Sequence, residues 1–249
     1  MDQLTKLKVQ MFAAWCGIAY ILLALIGWGG IAGFLPPTAP SAGPSDIAAL
    51  YASDFTRVRI GMIVLMLAAL ALIPFVAVMT HFMSRVEGGP GVLTYSVLLG
   101  GAGTMVLTFY PAIWWLVTVY RPQRNPDLIY LINDMAWLQF IGGVSMWLAM
   151  PIALVIAAFT DKSPTPVYPR WSGYATIWIM LTVLPDQLLF FFHRGPFAWN
   201  GVFGFWIPLV VFAGFFVVNL IVLRPAILRD RAHLLESQVL NTEMAAVPR

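Results

Sequence analysis

Residues 92–119 read VLTYSVLLGGAGTMVLTFYPAIWWLVTV, 28 in succession without a charged side chain. As an α-helix, that run rises about 42 Å at 1.5 Å per residue. The hydrocarbon core of a bilayer is about 30 Å thick and is crossed by about 20 apolar residues. A soluble helix keeps a polar face toward water, and this stretch has none. It is read as a transmembrane helix.

Five more runs of this kind flank it, at residues 11–35, 60–80, 137–159, 171–192 and 199–223. The first is 25 residues without a charge. A cleaved secretory signal has an apolar region of only about 7–15 residues, so this one is read as a retained span. Composition agrees: 60% of residues are hydrophobic and 10% charged, against about 25% charged in soluble domains. The expectation is an all-α, polytopic membrane bundle of six transmembrane helices. A polar start covers residues 1–10, the bundle residues 11–223, and a polar tail residues 224–249. In the tail, residues 224–240 suit a helix and the last residues are expected to be disordered.

Two short amphipathic stretches are expected as helices on the membrane surface. Residues 47–55 place Ile47, Leu50, Tyr51 and Phe55 on one side, with Ser45 or Asp46 as cap. Residues 127–136 place Leu128, Leu131, Ile132 and Met135 together. These stretches follow the first and third spans, so both lie on the side away from the termini. With the termini inside, the inner segments carry nine basic residues and the outer ones five: Arg57, Arg59, Arg121, Arg124 and Arg194. That excess places both termini in the cytoplasm. The net charge of +3 is spread between the apolar runs and forms no patch for nucleic acid. The lone Cys16 excludes an internal disulfide, and its apolar setting suits an inert thiol.

Candidate function gathers in residues 185–208, where Asp186, Gln187, His193, Arg194, Trp199 and Asn200 interrupt an aromatic sequence. Asp186 is the one acidic residue inside a span. A carboxylate at such a depth costs a few kcal/mol, so it is expected to face the bundle. Pro185 frees a carbonyl one turn earlier. His193 follows seven residues on, two turns along the same face if the helix continues. Trp199 opens the last span as an interfacial anchor, and Asp134 on the second surface stretch joins the same outer layer. A structural alternative pairs Asp186 with Arg57, Arg59, Arg121, Arg124 or Arg194 as a staple between helices. No metal site is expected, because His81 and His233 fall on the side opposite His193 and no His pair has i, i+4 spacing. No nucleotide, serine-hydrolase or cofactor motif occurs. Tyr110, Trp114, Trp115, Tyr120, Tyr130 and Trp137 fit an aromatic belt at the outer boundary. Pro74, Pro111, Pro151, Pro185 and Pro208 put a proline in every span after the first, and such kinks open space between helices.

Residues 195–208, GPFAWNGVFGFWIP, together with the RWSGY opening of the fifth span at residues 170–174, resemble a group of bacterial six-span integral membrane proteins without an assigned activity. The resemblance covers the last third of the chain. It implies a bacterial inner membrane and brings no activity, cofactor or catalytic residue.

Three functions are open to such a chain. The first is a non-enzymatic membrane protein that binds, or helps to move, a hydrophobic or amphipathic small molecule through an outer-facing pocket. The second is a membrane-embedded enzyme on a lipid-like substrate, for which one carboxylate and one histidine are thin equipment. The third is a structural or accessory subunit that packs on a membrane partner or on a second copy of itself. Spans one, three, four and six have no charge, which argues against an ion-coupled pump.

Overall fold

The computed structural model describes residues 1–121 and 123–246, with side chains as far as residue 240. Among these residues there is helix and no strand. Six helical segments are long and apolar enough to cross a membrane, and the chain is a multi-pass helical bundle.

Helix α1 spans Gln3–Ala24. It starts before the apolar run does because Asp2 caps it, accepting the Thr5 amide at 2.6 Å. It continues through a π-helical turn, Leu25–Ile31. Helix α2 spans Pro44–Ser53. Its cap is Gly43, not Ser45 or Asp46. Pro44 needs no amide hydrogen at the first helical position, and Asp46 reaches back to the Gly43 amide at 3.1 Å. Ile47 and Tyr51 turn into the bundle while Leu50 stays 40% exposed. Phe55 belongs to the next helix, because Asp54 caps that helix through the Arg57 amide at 2.9 Å.

Helix α3, Phe55–Val86, is continuous across Pro74, and α4, Val92–Tyr120, across Pro111. Residues 81–86, beyond the end of the apolar run at residue 80, finish α3. Glu87 then joins the two helices by accepting the Leu93 and Thr94 amides and the Thr94 hydroxyl at 3.1, 2.7 and 2.6 Å. Burial pushes the Glu87 carboxyl up, and these donors outweigh it, holding it below its ordinary value.

Helix α5 spans Pro126–Gly142. The second expected surface helix is therefore the opening of the fourth span, without a break between them. Ile129, Asn133, Ala136 and Trp137 all face the bundle, and that buried stripe keeps the helix going. A 3-10 turn, Gly143–Met146, leads to α6, Ala149–Thr160. Helix α7, Arg170–Val183, passes into a 3-10 segment, Leu184–Phe190. Residues 199–201 lie in a turn, and the last span begins with a π-helical turn, Val202–Trp206, before α8, Ile207–Ala246. The expected helix at residues 224–240 is the continuation of α8. Of the last residues, expected to be disordered, 247–249 lie outside the described range.

Proline placement follows its missing amide hydrogen. Pro151 and Pro208 sit in the first turns of α6 and α8, and Pro185 at the start of the 3-10 segment. Each therefore marks a place where helical hydrogen bonding restarts. Helices α1 and α3 cross where Gly27 meets Gly61. A Cβ on Gly61 would lie 2.5 Å from the Gly27 carbonyl oxygen. Gly29 and Gly33, a pair with the same small-residue spacing as many helix crossings, do not make this one. Gly33 instead adopts a positive φ of 73°, which glycine takes without steric cost.

Two apolar clusters fill the bundle. One lies toward the chain ends and holds Tyr20, Phe75, Phe82, Trp147 and Phe216. The other lies toward the far side and holds Trp28, Phe34, Trp115, Trp137 and Phe205. Trp115 and Trp137 are thus core residues, not belt residues, with rings 5.3 Å apart edge to face. Tyr110 and Tyr120 are exposed, as a belt requires. At the end carrying the termini, Arg85 holds Asp230 with two hydrogen bonds, at 2.5 and 3.1 Å, and Gln10 meets His81 at 3.1 Å.

Candidate functional site

Helix α7 loses its α geometry next to Pro185, and Asp186 follows at once. A 3-10 segment has about three residues per turn in place of 3.6. A seven-residue step through it no longer returns to the same face. Asp186 consequently points into the bundle, 2% exposed, while His193 lies beyond the segment and is exposed. The shared face expected for the two does not form.

Asp186 Oδ1 accepts a hydrogen bond from Gln187 Nε2 at 2.9 Å. The same nitrogen donates to the Gly142 carbonyl at 2.8 Å, so both amide hydrogens are in use. Gly142 is the last residue of α5 and the N-cap of the 3-10 turn that follows, and a carbonyl oxygen has two lone pairs to offer. Gln187 therefore holds a helix end and orients a carboxyl group together. No donor among the described residues reaches the other Asp186 oxygen.

Asp186 lines a partly enclosed cavity of about 90 Å³. The cavity sits at the seam of the two apolar clusters. Tyr20, Leu107, Val144 and Val183 come from one, and Ile141 and Phe205 from the other. Three irregular segments border it, contributing Val144, Asp186 and Phe205. Breaks of this kind inside spans are tolerated where they face protein or line a cavity. Its other polar side chains are the Tyr20 phenol and the Thr108 hydroxyl, which bond each other at 2.8 Å. Phe140, Phe205 and Phe212 supply aromatic surface.

The remaining candidates lie in a separate outer layer. Trp199 is buried, donates to the Thr38 carbonyl at 2.8 Å, and stacks on Trp137 with ring centres 6.1 Å apart. It anchors the loop after α1 and does not face the cavity. Asp134 is half-buried and ends a short chain: Tyr51 donates to Asn133 Oδ1 at 2.7 Å, and Asn133 Nδ2 to Asp134 at 3.4 Å. Its carboxylate lies within electrostatic reach of His193. Arg194 is exposed and Asn200 half-buried.

The expected arginine partners do not meet Asp186. Arg57 donates to the Ile31 carbonyl at 2.6 Å, Arg59 to Val119 at 2.6 Å, and Arg124 to Val117 at 3.0 Å. These oxygens belong to the final turns of their helices, where a guanidinium satisfies carbonyls that the helix leaves over. Arg121 and Arg194 are exposed. Asp186 makes no ion pair among the described residues.

Tyr20, Thr108 and the Gly142 carbonyl escaped the sequence reading. A signal for the first two was present. Tyr20 stands 17 residues into α1, Thr108 16 into α4, and Asp186 16 beyond the start of α7. All three helices run in the same direction through the bundle, so these polar groups share one depth. A second hollow of about 380 Å³ opens at the terminus end beside Lys6, His81, Arg85 and Asp230, where Arg85 and Asp230 already neutralise each other. No family model, no curated protein and no solved structure matches this chain.

Proposed function

We propose that this protein binds a small amphipathic molecule, with the polar end of that molecule against Asp186 and its apolar part against Phe140, Phe205 and Phe212. The observation that carries the reading is a buried carboxyl group that lines a mostly apolar cavity and has no ion-pair partner among the described residues. Isolated charge at membrane depth costs a few kcal/mol, and Gln187 holds this group in place in spite of that. Cavities that enclose drug-sized ligands measure about 300–1,000 Å³. A cavity of about 90 Å³ encloses only a polar head and its first carbons, which leaves any longer chain to run between helices toward lipid. Prior fixation of the carboxyl by Gln187 lowers the ordering cost of binding.

A thermal-unfolding screen of single-chain amphipaths against the purified protein tests this. Compounds that raise the midpoint of the wild type are expected to lose their effect in Val144→Phe, which places a ring in the cavity. Stabilisation of equal size in both proteins would remove the cavity from the account.

The location that accompanies this reading is a bacterial inner membrane with both termini cytoplasmic. The excess of basic residues on the terminus side supports it. A C-terminal reporter that is active only in the periplasm would overturn the orientation.

A further inference from the structure

Resting on the binding reading above, we infer that the head taken up beside Asp186 is a cationic ammonium group and not a neutral or anionic one. Three observations lead there.

First, the charge balance of the site is incomplete. Asp186 is the one carboxyl group lining the cavity among the described residues, and the arginines expected as its partners are otherwise engaged or solvent-facing. Arg57, Arg59 and Arg124 hold backbone carbonyls, and Arg121 and Arg194 are exposed. A carboxylate in a dry interior is most stable beside an opposite charge that also donates hydrogen bonds. Among the described residues one donor reaches it, from Gln187, and that donor is neutral.

Second, the wall is deficient in donors. Apart from Asp186, its polar side chains are Tyr20 and Thr108, and their hydroxyls are bonded to each other. An incoming carboxylate or phosphate would meet a like charge and few hydrogens. An incoming ammonium meets the free Asp186 oxygen and the lone pairs of two hydroxyl oxygens. Phe140, Phe205 and Phe212 line the same space, and aromatic faces attract cations.

Third, size agrees. The cavity of about 90 Å³ is well below the range of about 300–1,000 Å³ for pockets that enclose drug-sized ligands, so it takes the head of an amphipath and not the whole of a large one.

The test uses the full chain in nanodiscs of zwitterionic lipid, titrated by calorimetry with hexylammonium chloride, 1-hexanol and sodium hexanoate, with empty nanodiscs subtracted. The expected order on the wild type is hexylammonium at least about tenfold tighter than hexanol, with hexanoate weakest. Charge-assisted hydrogen bonds are roughly twice as strong as neutral ones, and tenfold corresponds to about 1.4 kcal/mol. Asp186→Asn is expected to bind hexanol still and to lose the preference for the amine. Val144→Phe is expected to lose both probes. Hexanol binding as tightly as the amine on the wild type, and lost in Val144→Phe, would overturn the ammonium assignment while keeping the cavity. Absence of saturable binding of any probe, or equal binding in Val144→Phe, would overturn the cavity reading itself. The order of the three probes on the wild type decides the head group even where Asp186→Asn is not recovered folded.

Discussion

Replacing Gln187 with alanine removes the one side chain that ties the end of α5 to the cavity. Its Nε2 donates to the Gly142 carbonyl at 2.8 Å and to Asp186 Oδ1 at 2.9 Å. The two losses are unequal. A buried polar group that loses its partner and finds no replacement costs about 1–3 kcal/mol, and the Gly142 carbonyl sits in the protein interior. The Asp186 oxygen borders a cavity of about 90 Å³, so water can replace part of what it loses. Interhelical hydrogen bonds in membrane proteins average only about 0.6 kcal/mol in double-mutant cycles and reach about 1.7. The two bonds together are therefore worth about 1–3 kcal/mol, most of it from Gly142.

The assay is reversible unfolding in mixed micelles of rising denaturing-detergent fraction, followed by far-ultraviolet circular dichroism. Gln187→Ala should be less stable by that amount. In the cycle with Asp186→Ala, the coupling should be the smaller share, about 0.5–1 kcal/mol. A Gln187→Ala protein within about 0.3 kcal/mol of wild type would show that Gln187 does not bridge α5 and Asp186. A coupling above about 2 kcal/mol would show that the Asp186 bond, and not the Gly142 bond, carries the bridge.

Arg59→Met should cost about 1–3 kcal/mol, since a part-buried guanidinium bonds the Val119 carbonyl at 2.6 Å, whereas exposed Arg194→Ala should stay within about 0.5 kcal/mol of wild type; the same detergent titration reads both. Gly61→Leu should separate α1 from α3, because even a Cβ there lies 2.5 Å from the Gly27 carbonyl oxygen; overpacking of about 1–3 kcal/mol is expected, and an unchanged midpoint would contradict the crossing. Glu87→Gln should be destabilising at neutral pH. The Glu87 carboxyl is held below its ordinary value, so its contribution is present above the unfolded-state pKa and disappears as pH falls through the lower folded-state value. The gap between wild type and Glu87→Gln should close in acid, and a gap that widens there would reverse the sign.

The six spans were legible because a bilayer imposes length and composition together, and runs such as residues 92–119 satisfy both. The ends of the helices were less so. α1 starts at Gln3 because of Asp2, and α2 at Pro44 because of Gly43, and such caps are single-residue events that hydropathy does not weigh. The second surface stretch was misjudged because Asn133 and Asp134 look solvent-facing. Asn133 is in fact buried under Tyr51, an interaction across 82 positions of sequence that no local window contains. Asp186 stood out as the lone acid of the spans, and the structure places it inside the bundle. Its relation to His193 was argued on α-helical periodicity, which the 3-10 segment after Val183 cancels. Tyr20 and Thr108 were hidden for a different reason. Each is unremarkable alone, and they gain meaning only through their common depth with Asp186. The arginines looked free to reach a carboxylate because sequence does not show which helix ends need a donor.

The measurement to make on the cavity itself is mass spectrometry of small molecules carried by the protein through purification in mild detergent, wild type beside Asp186→Asn. The account predicts a discrete small amphipathic molecule in wild-type preparations that is depleted in the variant. Bulk membrane lipid alone, in equal amount in both, would contradict it and leave Asp186 as a packing residue held by Gln187.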